Sequence, residues 1–257
     1  MSGLVSEIAQ PGGLASLPPL PAGIRIYAIG DVHGRFDLLQ ELTSGIRRDL
    51  LDRPRPERTM EIFLGDYVDR GPQSREVVDW MISSSPLTDE RICLLGNHED
   101  ILLGALDDTE AMANWLYNGG GETLLSYGVA IRGFGGKATL VELQKGFRAA
   151  LPSPHFEFFA SLPRKLAVAP FLFVHAGVRP GRSIDDQDPH DLIWIREPFL
   201  HSSEDFGYIV VHGHTPAMHP EVRSNRINID TGAVFTGRLT CLVLERAAKR
   251  FLQTAPP

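Results

Sequence analysis

The chain has 257 residues, of which 43% are hydrophobic and 22% charged, and a net charge of −7. That length allows one large domain or two small ones, with a sizeable core. The acidic balance excludes a general attraction to nucleic acid or anionic membrane, and no apolar run approaches the ~18 residues of a transmembrane helix. The two cysteines, Cys93 and Cys241, lie in the apolar runs ICLL and TCLVL. They read as buried free thiols, which suits a reducing, cytoplasmic compartment. The N-terminus lacks a basic region followed by an apolar stretch, so no signal peptide is expected.

Residues 1–22 carry Pro11, Gly12, Gly13, Pro18, Pro19 and Pro21 and are expected to form a flexible tail. One domain is expected over 23–257. Ile24, Ile26, Ala28 and Ile29 predict a buried strand, broken by Gly30-Asp31-Val32-His33-Gly34. Phe36, Leu39, Leu42, Ile46 and Leu50 then recur at helical spacing, up to Arg53-Pro54-Arg55-Pro56. A second strand over 60–64 runs into Gly65-Asp66-Tyr67-Val68-Asp69-Arg70-Gly71, and Pro72 opens a helix to about 82. A third strand over 91–95 ends at Gly96-Asn97-His98-Glu99. This strand–loop–helix rhythm predicts parallel strands with crossover helices. Residues of about 100–165 read as a mostly helical insertion interrupted by Gly119-Gly120-Gly121, Gly133 to Gly136, Pro152 and Pro154. Strands over 171–174 and 208–211 end at His175-Ala176-Gly177 and His212-Gly213-His214. The segment 226–229 leads to Asp230-Thr231-Gly232, and 239–244 is expected to be the last strand. The later strands lack regular helices between them. A second, more antiparallel sheet packed on the first is therefore expected, giving an α/β fold of two mixed sheets flanked by helices.

Five apolar strands thus end in residues able to bind metal or move protons: Asp31/His33, Asp66/Asp69, Asn97/His98, His175 and His214. Four of the nine histidines fall at these points. Ligands gather beyond the carboxyl ends of strands in such sheets. The mixed oxygen and nitrogen set suits manganese, iron or zinc better than calcium.

The ordered blocks GDVHG, GDYVDRG, GNHE, HAGV and GHT resemble the calcineurin-like metallophosphoesterases, especially the compact bacterial and phage serine/threonine phosphatases. The resemblance spans 24 to about 244. It implies an αββα sandwich and a two-metal phosphomonoesterase acting on phosphoprotein or small phosphoester substrates, with in-line attack by a bridging hydroxide. By this resemblance Asp31 and His33 hold a first cation, most readily manganese, with iron or zinc as alternatives. Asp66 bridges both cations, and Asn97, His175 and His214 hold the second. His98 resembles the general acid and Asp69 its carboxylate partner. Arg70 and Arg196 resemble phosphate-binding arginines, with Asn97 also at the phosphate. A diadenosine tetraphosphate hydrolase of the same superfamily shares these metal blocks.

Other polar residues have plainer readings. His212 falls on the opposite side of its strand from His214 and reads as structural. His155, His190, His201 and His219 read as surface residues, and Asp185, Asp186, Asp188 and Asp191 as a solvated acidic loop. Trp115, Asn118 and the glycine triplet resemble a tryptophan and Asn-Gly-Gly stretch of the bacterial relatives, expected to shape the pocket wall. Crowded carboxylates predict that Asp66→Asn stabilises the metal-free chain.

Overall fold

The structure, a computed structural model, describes residues 5–8, 13–131 and 137–255. The expected glycine-rich break at 133–136 lies outside them. Among the described residues the chain begins with β1 (Ser6–Ile8) and β2 (Ile24–Ile29), followed by α1 (Phe36–Asp52), β3 (Arg58–Phe63), α2 (Ser74–Ser83) and β4 (Glu90–Cys93). The insertion holds α3 (Asn97–Asp107), α4 (Thr109–Trp115), a turn at Leu116–Gly120 kinked at Gly119, α5 (Gly121–Ser126), α6 (Lys137–Ala150) and α7 (Ser153–Ser161). Then come β5 (Lys165–Val168), β6 (Phe171–Val174), α8 (Asp191–Trp194), β7 (Ile209–His212), β8 (Glu221–Val222), β9 (Arg226–Asn228), α9 (Ala233–Thr236), β10 (Thr240–Glu245) and β11 (Ala248–Gln253).

The strands form two sheets, ordered β1-β11-β10-β2-β3-β4 and β5-β6-β7-β9-β8. Side chains alternate across each strand with period two. Ile26, Ala28, Met60 and Ile62 of the first sheet therefore meet Phe171, Phe173, Ile209 and Val211 of the second in one buried cluster. The intervening Tyr27, Ile29, Phe63, Leu172, Val174 and Val210 turn outward, into a core that also contains Leu39, Leu42 and Ile46 of α1 and Val77 and Val78 of α2. This is the sandwich with helices on its outer faces.

Two expectations are corrected. Residues 6–8 pair with β11, and Leu14, Leu17 and Leu20 are buried in the inter-sheet core, so the described part of 1–22 is packed against the sheet. The proline content hid three leucines at three-residue spacing. The second sheet is also not the more antiparallel one. β6, β7 and β9 run parallel, and only its edge strands β5 and β8 are antiparallel. A parallel pair needs a long crossover, not a regular helix, and the irregular segments between β6, β7 and β9 serve. The antiparallel strands β10 and β11 return to the first sheet instead, where β10 pairs with β2.

A buried charge cluster ties this edge together. Asp49 of α1 accepts hydrogen bonds from Tyr27 at 2.7 Å, from Arg53 at 2.9 Å and from Arg250 of β11. Burial pushes the Asp49 carboxyl up, but Arg250, Tyr27 and Arg53 together hold it below its ordinary value. Its stabilisation is therefore full above the unfolded carboxyl range, about 4, and is lost as pH falls through the lower folded value. Asp49→Ala leaves the buried Arg250 with only the half-exposed Glu7, 3.8 Å away, as an acidic partner, and a loss of about 3–5 kcal/mol in urea unfolding is expected. A loss under 1 kcal/mol would show that the cluster is solvated in solution.

Candidate metal centre

Parallel pairing aligns the strand ends that carry the site. Ile29, Phe63 and Cys93 lie side by side at the ends of β2, β3 and β4, as do Phe173 and Val211, and Val211 and Ile227, in the other sheet. The loops beyond them bring Asp31, His33, Asp66, Asn97, His175 and His214 together, all buried. Among the described residues, six non-glycine residues have positive φ, and five of these belong to the expected site: His33, Asp66, Asp69, Arg70 and His214. Such backbone costs roughly 1–3 kcal/mol per residue and persists only where the surroundings over-determine it. Gly213 is required by a close approach, since a Cβ there would lie 2.0 Å from Asp31 Oδ1.

Asp66 is central. Its Oδ2 lies 3.4 Å from His33 Nε2, and its Oδ1 lies 3.3 Å from His175 Nε2. Donor atoms of His33, Asp66 and His98 cluster within 4.8 Å of one another, as do those of Asp66, His175 and His214. Asn97 Oδ1 stands 2.9 Å from His175 Nε2 and 2.8 Å from His214 Nδ1. Asp31 Oδ2 accepts the His214 backbone N–H at 3.0 Å, while Asp31 Oδ1 and His214 Nε2 are buried without a partner. His33 Nδ1 faces the Val68 carbonyl at 2.9 Å and His175 Nδ1 the Leu64 carbonyl at 2.9 Å. A carbonyl accepts only, so both rings hold their proton on Nδ1 and turn the Nε2 lone pair inward, as metal-ligating histidines do.

The charges agree with this geometry. Burial lowers the His33 imidazole to about 3 and that of His214 to about 2, and lowers His175 as well, so all three are neutral donors. Burial raises Asp31 well above the usual carboxylate range, and the nearby Asp230 and Asp66 charges raise it further. Burial also pushes Asp66 up, but the positive charge that His175, His98, His33 and His214 take on at low pH outweighs it and holds Asp66 low. Buried carboxylates, neutral imidazoles, an amide oxygen and two orphaned donor atoms make a set that fits divalent cations of the manganese, iron or zinc kind.

His98 stands apart from the other rings in what it touches. Its Nδ1 lies 2.6 Å from Asp69 Oδ2, and its Nε2 is 3.9 Å from Asp66 Oδ2. Burial lowers its pKa, but the Asp66 and Asp69 carboxylates more than offset this, so the imidazolium is favoured. Arg70 Nη1 donates to His33 Nε2 at 2.6 Å. Arg196 is exposed on the loop after α8. Its charge lowers the pKa values of His214 and Asp230 slightly.

Several residues escaped the sequence reading. Glu99 is fully buried and accepts the backbone N–H groups of Tyr67 at 2.8 Å, Asp66 at 2.9 Å, Gly96 at 3.0 Å and Val68 at 3.3 Å. It holds the loop carrying Asp66, and burial with the Asp66 charge lifts its carboxyl to about 8. Its place in GNHE was the available signal. Asp230, in Asp-Thr-Gly after β9, is buried and lifted to about 6, chiefly by burial. Trp115 Nε1 and Thr123 Oγ1 both donate to Asp69, at 2.9 and 2.6 Å. His155 is not a surface residue: it is buried between the Tyr127 hydroxyl at 2.7 Å and Asp79 at 3.0 Å. Asp191 is buried and paired with Arg179 rather than solvated, whereas Asp185, Asp186 and Asp188 are exposed. Cys241 is buried as expected, but Cys93 is only half-buried. His212 is buried and faces Arg226, in keeping with a structural place.

Several known proteins are similar to this chain. Serine/threonine-protein phosphatase 1 of Salmonella typhimurium is 28% identical over 228 residues, 84% of this chain and 89% of that one. Bis(5'-nucleosyl)-tetraphosphatase PrpE [asymmetrical] of Anoxybacillus flavithermus is 26% identical over 243 residues, 83% and 88% of the two chains. A Caenorhabditis elegans relative named among the serine/threonine-protein phosphatases is 41% identical over 88 residues, and this chain spans only 18% of its length. The solved metallophosphoesterase of Sphaerobacter thermophilus shares the fold, with a TM-score of 0.54, 19% identity and coverage of 91% and 89%. No helix among the described residues is long and apolar enough to cross a membrane. Residues 24–229 match the calcineurin-like phosphoesterase family, and the chain belongs to it.

Proposed function

We propose that this phosphoesterase hydrolyses phosphate monoesters of protein serine and threonine residues. Asp31 and His33 would hold one divalent cation, Asn97, His175 and His214 the other, and Asp66 both. Such a pair supplies an activated water and neutralises phosphoryl charge. Manganese is the metal proposed, with iron or zinc able to take its place. Arg70 and Arg196 would grip the phosphoryl oxygens, with Asn97 beside them, and His98 would hand its proton to the departing oxygen.

The observation that carries this reading is the buried His98–Asp69 pair at 2.6 Å, one residue beyond Asn97. A serine alkoxide is a strong base and leaves poorly without a proton. The leaving group of a dinucleoside polyphosphate is a nucleotide, stable as an anion, which gains much less from a buried acid. A second reading, hydrolysis of dinucleoside polyphosphates, is supported by the PrpE relatives that match over most of this chain. Steady-state kinetics of the manganese-loaded chain on phosphoserine and phosphothreonine peptides and on diadenosine tetraphosphate decide between them. A kcat/KM at least tenfold higher for the dinucleotide would overturn the phosphoprotein reading.

Arg196 has the looser motif match and an exposed position. Arg196→Ala is expected to raise KM and lower kcat together, by about 10-fold or more in kcat/KM, because a guanidinium–phosphate contact acts in both the ground and transition states. Arg70→Ala should do the same. Wild-type kinetics for Arg196→Ala would leave Arg196 outside the site.

A further inference from the structure

We propose that the turn from Trp115 to Thr123 of the helical insertion is part of the catalytic apparatus, with Trp115 and Thr123 as positioning residues that act through Asp69 on His98. The inference rests on the general-acid reading of His98. Its grounds are the hydrogen bonds around one fully buried carboxylate. Asp69 Oδ2 faces His98 Nδ1 at 2.6 Å and also takes the indole N–H of Trp115 at 2.9 Å. Asp69 Oδ1 takes the same indole at 3.0 Å and the Thr123 hydroxyl at 2.6 Å. Every donor other than His98 comes from the insertion, and each narrows the ways in which the carboxylate can turn.

The same turn fixes the backbone. Asp69 and Arg70 are consecutive residues with φ of 72° and 67°. The Asp69 N–H reaches Thr123 Oγ1 at 2.9 Å and Ser74 Oγ at 3.0 Å, and the Arg70 N–H donates to the Gly119 carbonyl at 3.1 Å. Gly119 has φ of 106°, and a Cβ there would lie 2.8 Å from Arg70 Cγ. With that backbone, Gly119 kinks the chain between the helix that ends at Trp115 and the helix that carries Thr123. One short segment thus seats the partner of the proposed acid and the phosphate-binding arginine together. The expectation that Trp115 shapes a pocket wall understates it: the ring is buried, with its N–H spent on Asp69.

The test uses the full manganese-loaded chain with Trp115→Phe, Thr123→Val, His98→Asn and the two double variants carrying His98→Asn. Each is assayed on a phosphothreonine peptide and on p-nitrophenyl phosphate, with metal content measured on the same samples. Trp115→Phe is expected to lower kcat on the peptide about 10-fold, the worth of one charged hydrogen bond, with KM within about twofold. The loss on p-nitrophenyl phosphate, whose leaving group needs no proton, should be several times smaller. Each double variant should be no slower than His98→Asn alone, because positioning acts only through that ring. Additive losses, or equal losses on both substrates, would overturn the inference. Thr123→Val carries the same expectations with little change of volume and decides the matter if Trp115→Phe does not fold. Nitrogen-15 NMR of the histidine-labelled chain gives a readout apart from activity: the His98 Nδ1–H proton should shift in Trp115→Phe and in Thr123→Val. If His98→Asn itself lost equally on both substrates, the general-acid reading would fail, and that shift would still decide whether Trp115 acts on His98. An unchanged resonance in both variants would overturn the inference.

Discussion

Asp66→Asn is expected to abolish phosphoester hydrolysis and to weaken the binding of both cations while leaving the fold intact. The two oxygens of Asp66 face different histidines of the site, Oδ2 toward His33 and Oδ1 toward His175. An amide of the same shape keeps one oxygen but loses the negative charge that offsets two dications. Metal-derived stabilisation of several kcal/mol corresponds to roughly 10³-fold or more in rate. Metal content by mass spectrometry and kcat at limiting manganese check it, and near-normal activity there would show that Asp66 does not serve both sites. The structure moves one expectation elsewhere. Crowded carboxylates suggested that neutralising Asp66 would stabilise the metal-free chain, but Asp66 is held low, and the nearby His98 imidazolium favours its charged form. The penalty falls on Asp31, which burial and its carboxylate neighbours raise. A raised carboxyl costs stability above its folded value, and the cost vanishes below the unfolded value of about 4. In chelator, Asp31→Asn should therefore raise Tm near neutral pH, with the gain fading as pH falls toward 4.

His98→Asn is expected to keep both cations and to lose far more rate on phosphoserine or phosphothreonine peptides than on p-nitrophenyl phosphate. General acid catalysis is worth roughly 10²–10⁴-fold. A loss in that range belongs to the peptides, whose leaving group is a strong base. His98 Nδ1 is spent on Asp69, so only Nε2 is free to act, and it points toward Asp66 at 3.9 Å. Asp69→Asn should show the same selectivity more mildly, because the ring stays but loses the charge that favours its imidazolium. Side-by-side kcat values for both variants on both substrates, with metal content, provide the check. Equal losses on both substrates, or one cation missing from His98→Asn, would make His98 a ligand or a positioning group.

The sequence by itself determined the strand ends and their chemistry. Apolar runs such as 24–29 and 171–174 stop at glycine and polar residues, and local patterning suffices there because a buried strand and its terminating loop are both written in adjacent residues. Asp31, His33, Asp66, Asn97, His175 and His214 could therefore be picked out before any coordinates, and the structure brings all six into one buried cluster. What only the tertiary structure decided depends on distant partners. Leu14, Leu17 and Leu20 look like part of a proline-rich tail until the sheets supply a core for them. β10 and β11 join the first sheet because β2 offers a free edge, and strand pairing across more than 200 residues leaves no local mark. Glu99, Trp115 and Thr123 act through a few hydrogen bonds to backbone or carboxylate groups, most of them remote in sequence. A buried acid or a tryptophan in an amphipathic helix carries no periodic signal of such a bond. Its energy depends on direction and distance, which only the folded chain fixes.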